Sequence, residues 1–396
     1  MPRPAPALDT APALTLEEPL SGLLDTSPPP ADRPRLGLDF TRQDYLGLAT
    51  HPAVRSAALA ALGQHPLTAC DPALVAVLED RLGAFLQLPG VVTFRSGTEA
   101  IRRTLRALLR PGDHVILDSA AHPAMFETVF LAKARLHRSP AGSVEAVERR
   151  LTRLARQPRR GRLIIALPAI SAYGSRIADL AELSALSRQH GAVLVVDVTH
   201  DFGAMAPRGG GVAEIQACSS HIDILLGSLA KSFGAPGGFA AFRDPGLKAA
   251  LQDRHTAALS PVNAAAILAA LDLIAGTEGH RRRRNLHGLS LRLRNHLMAD
   301  RIRPMGQSSP FVPILLPLMT ALPRAALLES AGPRVPLLQA PTVPLHAPRW
   351  RIQLTAAHSP ADIDDLAELI RDVSRAFDRR FSRPRVSAYA LTEAVT

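Results

Sequence analysis

Short apolar runs alternate with amphipathic stretches from about residue 50 to residue 245. The apolar runs have the length of buried strands, and the stretches between them repeat apolar positions every three or four residues, as helices do. The pattern predicts strands at 91–94, 114–118, 163–167, 192–197, 222–226 and 239–242, and helices at 98–109, 144–154 and 178–190. Strands that alternate with helices in this way form a mostly parallel, doubly wound sheet.

Beyond residue 260 the pattern changes and predicts one long helix, two strands and a final helix, at 261 to about 294, 311–316, 349–354 and 360 onward. The final helix begins at Ser359-Pro360, an N-cap followed by proline at the first helical position. We therefore expect an α/β protein with four segments: a flexible proline-rich arm, a large domain, a smaller α+β domain and a tail, at 1–37, 38–275, 276–381 and 382–396.

Composition limits the class of protein. With 396 residues and 47% hydrophobic side chains, the chain is globular and long enough for more than one domain. No apolar run is long enough to span a bilayer. Acidic residues such as Asp9 and Glu17 argue against a secretory signal at the N-terminus. Two cysteines support neither a disulfide framework nor a zinc site, so we expect a cytoplasmic protein without a metal.

The net charge of +11 predicts an anionic ligand or partner. The densest basic run, Arg281 to Arg284, lies in the long predicted helix, and we interpret it first as a solvated helix face. The sharper alternative is a docking site for an acidic carrier protein or for a phosphorylated thioester. Nucleic-acid binding is disfavoured, because the aromatic residues that stack on bases make up only 4% of the chain.

The chain has only three lysines, Lys133, Lys231 and Lys248, and otherwise uses arginine for positive charge. A lysine amine can lose its proton and form an imine, whereas a guanidinium stays charged. The pattern places Lys133 in a helical run and Lys248 at an exposed helix start. Lys231 follows a predicted strand in the glycine-rich segment 227–238, which would let a flat cofactor approach the backbone. The alternative for Lys231 is a surface lysine in a flexible loop.

Asp197 ends the predicted central strand at 192–197. A carboxylate there is costly to desolvate unless a cation meets it, and a helix cap or a metal ligand are the simpler explanations. Asp197 and Lys231 both fall beyond the carboxyl ends of strands, where open α/β sheets bind ligands. An aspartate for a protonated pyridine nitrogen and a lysine for an imine are what pyridoxal 5'-phosphate (PLP) requires. Together the two residues predict a PLP enzyme.

Other polar residues at predicted strand ends suit the rest of this cofactor. Ser96-Gly97-Thr98 follows a strand and opens a helix, so its backbone N–H groups can bind a phosphate. Ser228 could add a hydroxyl to the same phosphate. His122 could stack on the pyridine ring and His200 could reach the phenolic oxygen, although either histidine could instead be structural.

The strand at 349–354 carries a candidate substrate ligand. Alternation places Arg349, Arg351 and Gln353 on one face, which we expect to be exposed. Arg351 is predicted to bind the carboxylate of an amino acid through two parallel hydrogen bonds, and a surface ion pair is the alternative.

The residues named so far, with the motifs around them, resemble those of the α-oxoamine synthases, a family of fold-type I PLP-dependent transferases. The resemblance extends from about Leu38 to Phe377. It rests on Tyr45-Leu46-Gly47-Leu48, Leu78-Glu79, Ser96-Gly97, Asp118 with His122, Asp197 to His200, Gly227 to Lys231 with Gly237-Gly238, and Arg349 to His358. The last three segments are the specific ones.

The resemblance implies roles at these positions. Lys231 would bind PLP as an imine and later move the Cα proton of the substrate. Asp197 would pair with the pyridine nitrogen, and His122 would stack on the ring. His200 would contact the phenolic oxygen, and Ser171 would lie near the cofactor.

The reaction that the resemblance implies is a decarboxylative condensation. An amino acid, held at its carboxylate by Arg351, would attack an acyl thioester of CoA or of an acyl carrier protein and give an α-amino ketone. The family is typically homodimeric with shared active sites, so residues near Thr256 would reach the partner's phosphate. An aminotransferase that releases a keto acid is one alternative, and a PLP-binding regulator without turnover is another.

Several departures from the family pattern concern the substrate side. The asparagine before the Tyr-Leu-Gly-Leu motif is Asp44 here, and we place Asp44 at the substrate. Residues 66–72 replace a glycine-rich segment, Val198 replaces a glutamate, and residues 171–174 read Ser-Ala-Tyr-Gly. The cofactor set is kept while the substrate-facing set is altered, which indicates a specialised biosynthetic relative.

Overall fold

The structure is a computed structural model that describes four stretches of the chain, 38–66, 70–157, 161–252 and 259–381. Several predictions lie outside the described residues: the arm at 1–37, the tail at 382–396, Thr256, and positions 67–69 of the altered segment 66–72. The domain boundary near residue 275 stays a prediction.

Strands in the described part are β1 Gly90–Phe94, β2 His114–Asp118, β3 Arg135–Ser139, β4 Leu163–Pro168, β5 Ala192–Asp197, β6 Ile224–Ser228, β7 Gly238–Phe242, β8 Phe311–Leu315, β9 Leu337–Leu338 and β10 Arg349–Gln353. Helices are α1 Pro52–Gln64, α2 Pro72–Leu86, α3 Gly97–Leu108, α4 Pro123–Leu131, α5 Val144–Ala155, α6 Leu180–Gln189, α7 Val212–Ile215, α8 Gly246–Gln252, α9 Pro261–Ala275, α10 Thr277–Ala299, α11 Ala321–Ser330 and α12 Pro360–Phe381. Most predicted elements are present, with ends that differ by one or two residues.

The strands β1 to β7 form one sheet in the order β1-β7-β6-β5-β4-β2-β3. From β6 to β3 in this order all neighbours are parallel, whereas β7 is antiparallel to both β1 and β6. The predicted mostly parallel α/β fold is therefore confirmed. Because β1 and the parallel strands all end at one edge, the residues that follow them meet there.

The sheet is buried on both faces because its central strands carry almost only apolar side chains. Every residue of β2 and of β4 is buried. One apolar cluster joins the sheet to α1, α2, α5, α6 and α9, and a second lies under α3 and α4. Burial of each leucine or isoleucine contributes about 1.5–3 kcal/mol. These clusters fix the strand ends on which the polar residues sit.

A smaller antiparallel sheet has the order β8-β10-β9, with Arg351 of β10 opposite Pro313 of β8. All five residues of β10 are buried. The expectation that Arg351 lies on an exposed face is therefore wrong. The segment around Phe40 covers one side of the strand, with Gln353 N–H donating to the Phe40 carbonyl at 2.9 Å, and Phe311 covers the Arg351 guanidinium.

The long helix predicted at 261–294 is in fact two helices. α9 ends at Ala275, α10 begins at Thr277, and their axes differ by 76° across Gly276. The apolar repeat continues through the break, so the pattern could not reveal it. Among the described residues, no single helix is long and apolar enough to cross a membrane, and this bent pair meets that test by length and composition only.

The helical run predicted around Lys133 is also wrong. α4 ends at Leu131, Lys133 adopts a left-handed conformation with φ 54°, and the edge strand β3 follows. β3 escaped the apolar pattern because, as an edge strand, it exposes Arg135, Leu136 and Arg138 to solvent.

Candidate active site

Two neighbouring strands carry the predicted aspartate and lysine to one edge of the sheet. Asp197 is the last residue of β5 and pairs in register with Leu226 of β6. Lys231 follows the end of β6 by three residues. The Asp197 side chain is buried, and its Oδ1 accepts the Thr199 backbone N–H at 3.0 Å. The carboxylate is therefore held in one orientation at the strand end.

His200 links Lys231 to a buried tyrosine. The Lys231 Nζ lies 3.0 Å from His200 Nε2, and the Tyr45 hydroxyl oxygen lies 2.7 Å from His200 Nδ1. Burial raises the pKa of the Tyr45 phenol above its ordinary value, so the phenol stays protonated and donates to Nδ1. The imidazole proton is then assigned to Nε2, facing the lysine nitrogen.

The surroundings of Lys231 favour its neutral amine. Burial, followed by the charge of Arg351, lowers the pKa of Lys231 to about 7, although Asp197 acts in the opposite direction. Burial and the neighbouring Lys231 also hold the pKa of His200 well below its usual range, so the imidazole is neutral. An unprotonated amine is the nucleophilic form that an imine-forming lysine requires.

The N-terminus of α3 lies beside the end of β6. Ser96 caps α3, and Gly97 comes so close to Ser228 that a Cβ at Gly97 would lie 2.8 Å from the Ser228 Cβ. Ser228 donates its N–H to Thr199 Oγ1 at 3.1 Å, which ties β6 to the turn after β5. The N–H groups of Gly97 and Thr98 have no acceptor among the described residues, and together with the positive end of the helix they form a cradle that suits an anion.

His122 caps the next helix, α4, at the carboxyl end of β2. Its Nδ1 accepts the Ala124 N–H at 3.1 Å, which fixes the orientation of the ring. Burial lowers the pKa of His122, and the charges of Asp197 and Lys231 act on it in opposite directions. The imidazole thus lies within the electrostatic range of both residues.

Arg351 approaches this group from the smaller sheet. Its guanidinium carbon lies 4.6 Å from the centre of the Phe311 ring, and that ring meets the His200 imidazole edge-on at 5.3 Å. Arg351 is only 7% exposed, and its Nε and one Nη have no hydrogen-bond partner among the described residues. A buried cation with free donors is unfavourable unless an anion meets it. The geometry of Arg351 therefore suits an anionic ligand.

Comparison with known proteins decides the family. The family model described as aminotransferase class I and II matches residues 37–370. The chain belongs to this family. A relative named 8-amino-7-oxononanoate synthase from Marinobacter nauticus is 32% identical over 342 residues, 83% of this chain and 85% of the relative. A second of the same name, from Acidithiobacillus ferrooxidans, is 33% identical over 353 residues, 85% and 88% of the two chains.

Solved structures of other proteins share the fold. A serine palmitoyltransferase from S. paucimobilis, solved with a bound PLP–myriocin aldimine, has a TM-score of 0.79 and 25% identity over 86% of this chain and 88% of that one. The 8-amino-7-oxononanoate synthase of Francisella tularensis, at 19% identity, has a TM-score of 0.74 over 86% and 98% and supports the fold alone. The predicted α-oxoamine synthase family, its fold-type I architecture and its PLP cofactor are confirmed, and the chain is a PLP-dependent transferase.

In this α-oxoamine synthase the strand ends provide a set of groups that fits PLP. A lysine amine, a fixed carboxylate, two imidazoles and an anion cradle all lie at one edge of the sheet: Lys231, Asp197, His122, His200, and Ser96, Gly97 and Thr98 with Ser228. A Cβ at position 97 would collide with Ser228, so a glycine there lets the start of α3 and the end of β6 lie side by side. The individual roles stay predictions.

Two predicted site residues are engaged by backbone groups. The carboxylate of Asp44 accepts the N–H groups of Leu48 at 2.9 Å and Ala49 at 3.0 Å, which closes the turn after Tyr45. Ser171 is buried after β4, and its Oγ accepts the Arg176 N–H at 3.2 Å. Direct contact of either side chain with a ligand stays a prediction.

Three residues of the site were not predicted from the sequence. Tyr45 stood in a recognised motif, but its contact with His200 spans 155 positions and leaves no local signal. Phe311 reaches Arg351 through the register of β8 and β10. Thr199 was part of the recognised segment that carries Asp197. The contact of its hydroxyl with β6 could not be predicted from the positions of the residues in the sequence.

Other basic residues of the sequence have structural partners. Lys248 lies in the first turn of α8, as predicted, but it is only partly exposed, and its amine lies 3.3 Å from Glu79 Oε2. In the basic run of α10, Arg282 pairs with Glu278 at 2.7 Å, and buried Arg283 donates to two backbone carbonyls. The interpretation of this run as a solvated face is therefore wrong for its two central residues, which stabilise the turn into α10.

Proposed function

We propose that this chain condenses an amino acid with an acyl thioester, with loss of carbon dioxide, to give an α-amino ketone. The observation that carries the proposal is the buried guanidinium of Arg351, whose free N–H groups lie within the electrostatic range of the Lys231 amine. An amino acid carboxylate would accept these N–H groups in two parallel hydrogen bonds and bring its α-carbon towards Lys231.

Residues of the chain supply binding and proton transfer. When bound, PLP supplies an electron sink for negative charge at the substrate α-carbon. The start of α3 and Ser228 would hold its phosphate, and Asp197 would hold its ring nitrogen. The neutral amine of Lys231 would take up the α proton and later return one. His200, itself held by Tyr45, would keep the lysine nitrogen in position.

The chemistry of the relatives supports condensation over transamination. The name 8-amino-7-oxononanoate describes a product with an amine on carbon 8 next to a ketone on carbon 7. Such an α-amino ketone results when the α-carbon of an amino acid bonds to an acyl carbon and loses its carboxylate. Relatives with this name align with more than four-fifths of the chain. The region matched by the family model, residues 37–370, includes Lys231 and Arg351.

The turn after β4 is held firmly from the smaller sheet. Arg349 Nη1 donates to the Tyr173 carbonyl at 3.1 Å. Gly306 packs against the carbonyl groups of Gly174 and Ser175 so closely that no Cβ would fit. The backbone path of the turn is thus determined by contacts from residues far away in sequence.

This turn also supports a specialised substrate. Tyr173 lies within the electrostatic range of Arg351, so the turn borders the proposed carboxylate site. Its Ser-Ala-Tyr-Gly sequence differs from that of the family. We propose that the amino acid, the acyl chain or both belong to a specialised biosynthetic pathway.

Two further parts of the proposal concern partners. The acyl donor would be a thioester of CoA or of an acyl carrier protein, since both present the same reactive carbonyl group. The enzyme would be a homodimer, as is typical of the family, and light scattering of the purified protein would measure this directly.

Thioester turnover tests the reaction. The purified enzyme would be assayed with glycine, alanine and serine against succinyl, pimeloyl and long-chain acyl thioesters, with free thiol and carbon dioxide measured together. We expect equal amounts of both products with a preferred pair and none with Lys231→Ala. Keto acid without thiol would make the chain an aminotransferase. Ordinary turnover of pimeloyl or succinyl thioesters would refute the specialised pathway.

A further inference from the structure

A concentration of positive charge lies on α5 and on the edge strand β3, away from the basic run of α10. Three arginines recur on one side of α5 and line one shallow groove: Arg149, Arg153 and Arg156. Arg150 of the same helix and Arg135 of β3 act on the histidine between them, His137. We call these five arginines, Arg135, Arg149, Arg150, Arg153 and Arg156, the basic face.

Acidic residues compensate the charge of the basic face only in part, since Glu145 interacts electrostatically with Arg149. None of its five arginines forms an ion pair with another described residue, whereas exposed arginines elsewhere do. Arg162 pairs with Asp113 at 2.8 Å, and Arg292 pairs with Asp364 at 2.6 Å. The two acids of α5 are Glu145, which accepts the Ser143 hydroxyl, and Glu148 at the margin of the groove. The face therefore retains a net positive charge that an anionic partner would meet.

A pair of histidines beneath the face responds to this charge. His137 Nε2 lies 3.0 Å from His114 Nδ1, and the two rings are stacked within 8° of parallel. Burial, followed by the charge of Arg150, lowers the pKa of His137 to about 4. The histidine is neutral at physiological pH, so arginine alone carries the positive charge, and that charge does not vary across the physiological range.

Contacts connect the basic face to the proposed active site. The loop before α5 is tied to β2, because Gly142 donates its N–H to Asp118 Oδ2 at 2.6 Å. Arg176 crosses this loop so closely that a Cβ on Gly142 would lie 2.6 Å from the Arg176 Cδ. Arg176 in turn donates its N–H to Ser171, in the turn that borders the carboxylate site. These contacts link the loop before α5, through Arg176, to the turn after β4.

The dimensions of the face suit a macromolecule. The twelve residues of α5 extend about 18 Å along the helix axis. β3 lies four strands from β6, which is about 19 Å across the sheet. The phosphates of one small molecule would not cover such a surface. A macromolecule with many carboxylates would cover this surface. A flexible arm on that macromolecule would span the distance to Lys231.

The make-up of the face favours an acidic protein over a nucleic acid. Between the arginines the groove is lined by Thr152 and Gln157, and no aromatic residue lines it within the described part of the chain. Single-stranded nucleic acid is usually bound by stacking on aromatic side chains. Leu136, next to Arg135, is 42% exposed, and arginine beside apolar surface is typical of protein–protein interfaces.

We propose that the basic face is the docking surface for an acidic acyl carrier protein, which delivers the acyl thioester to the active site. Carboxylates of the carrier would pair with Arg149, Arg153 and Arg156, and its prosthetic arm would pass Arg176. The inference rests on the proposed function, because it specifies the donor of that reaction. No covalent bond changes at the surface itself.

Charge reversal tests the surface in the full-length holoenzyme. The variant R149E/R153E is compared with R55E/R303E, which reverses two exposed arginines elsewhere and matches the change in net charge. The probe is an acyl carrier protein with its phosphopantetheine arm, with and without an octanoyl chain, and affinity is measured by surface plasmon resonance at low and high salt. We expect R149E/R153E to weaken binding at least about tenfold and the control to change it less than about twofold.

Steady-state kinetics provide the second readout. In R149E/R153E the KM for the carrier-bound donor should rise about as much as the affinity falls, while kcat and the KM for the same acyl group on CoA stay unchanged. Equal losses in both variants, or equal losses with both donors, would overturn the docking surface. Melting temperatures close to that of the parent would exclude misfolding as the cause.

The binding assay does not require catalytic turnover. The docking surface and the condensation reaction can therefore be refuted independently. Undiminished carrier binding by R149E/R153E would reject the surface even if condensation is observed. Tight binding of duplex RNA without binding of the carrier would assign the face to nucleic acid and reject the proposal as well. Carrier binding that depends on the face, in an enzyme that condenses no thioester, would support the surface and reject the reaction.

Discussion

The two sheets contribute to the site in different ways. At the edge of the seven-stranded sheet the polar groups satisfy one another, since Lys231, His200 and Tyr45 form a chain of hydrogen bonds. The three-stranded sheet contributes Arg351, which lies over an aromatic ring and has N–H groups with no hydrogen-bond partner in the described part of the chain. The cofactor side is therefore arranged by the fold itself, whereas the substrate side is completed by a ligand anion.

The largest effect should come from the cofactor side. Replacing Lys231 with alanine removes both the attachment point and the proton-transfer group, so we expect kcat to fall at least about 10³-fold. The visible absorbance of bound PLP should disappear from the purified variant. Lys248→Arg, which keeps the ion pair with Glu79, is the matched control and should retain both properties. A Lys231→Ala protein that keeps the absorbance would refute the assignment.

A conservative change on the substrate side should have a smaller and more selective effect. Arg351→Lys keeps a positive charge but loses the planar pair of donors, so the KM for the amino acid should rise about 100-fold. The absorbance of PLP and the KM for the acyl donor should not change, which would separate the two sides of the site. An unaltered amino acid KM would show that the carboxylate binds elsewhere.

The two sides are coupled through charge, and this coupling can be measured. Arg351 lowers the pKa of Lys231, so Arg351→Met should raise it and move the pH midpoint of PLP uptake by cofactor-free enzyme upwards from about 7. Uptake at pH 7 should slow by up to about tenfold. Arg351→Lys keeps the charge and should leave the midpoint in place. Identical midpoints in all three proteins would mean that the two sides are electrostatically independent.

Asp201 is the exception on the cofactor side, and its effect should appear in stability. Its Oδ2 accepts the Val212 N–H at 2.8 Å, while its buried Oδ1 has no partner among the described residues. Burial, with a contribution from Asp197, raises the pKa of Asp201 to about 8. The folded protein thus holds a proton that the unfolded chain releases near its ordinary pKa of 3.8.

Stability should therefore fall as the pH rises from about 4 to about 8, by up to about 1.4 kcal/mol per pH unit from this group. Asp201→Asn should lose that contribution, so the melting temperature of the variant should rise relative to that of the parent protein as the pH rises. Thermal denaturation of both cofactor-free proteins across this range provides the measurement. Parallel curves would show that Asp201 is ionised in the folded protein.

The cofactor side was more predictable from the sequence than the substrate side. Buried parallel strands appear as apolar runs, and a polar residue at the end of such a run, like Asp197, stands out. Lys231 stood out in the same way after the next strand. The burial of Arg351 depends on Phe311, and that contact follows from the register of two strands, which no local pattern contains. The contact of Tyr45 with His200 could not be predicted for the same reason.

Gly306 has a consequence for engineering this enzyme. The backbone of Gly306 packs tightly against the carbonyl groups of Gly174 and Ser175. The turn after β4 therefore cannot move unless the segment around residue 306 moves with it. A library that varies 171–174 alone would change side chains on an almost fixed backbone. To reshape the proposed carboxylate site, a library should vary both loops together.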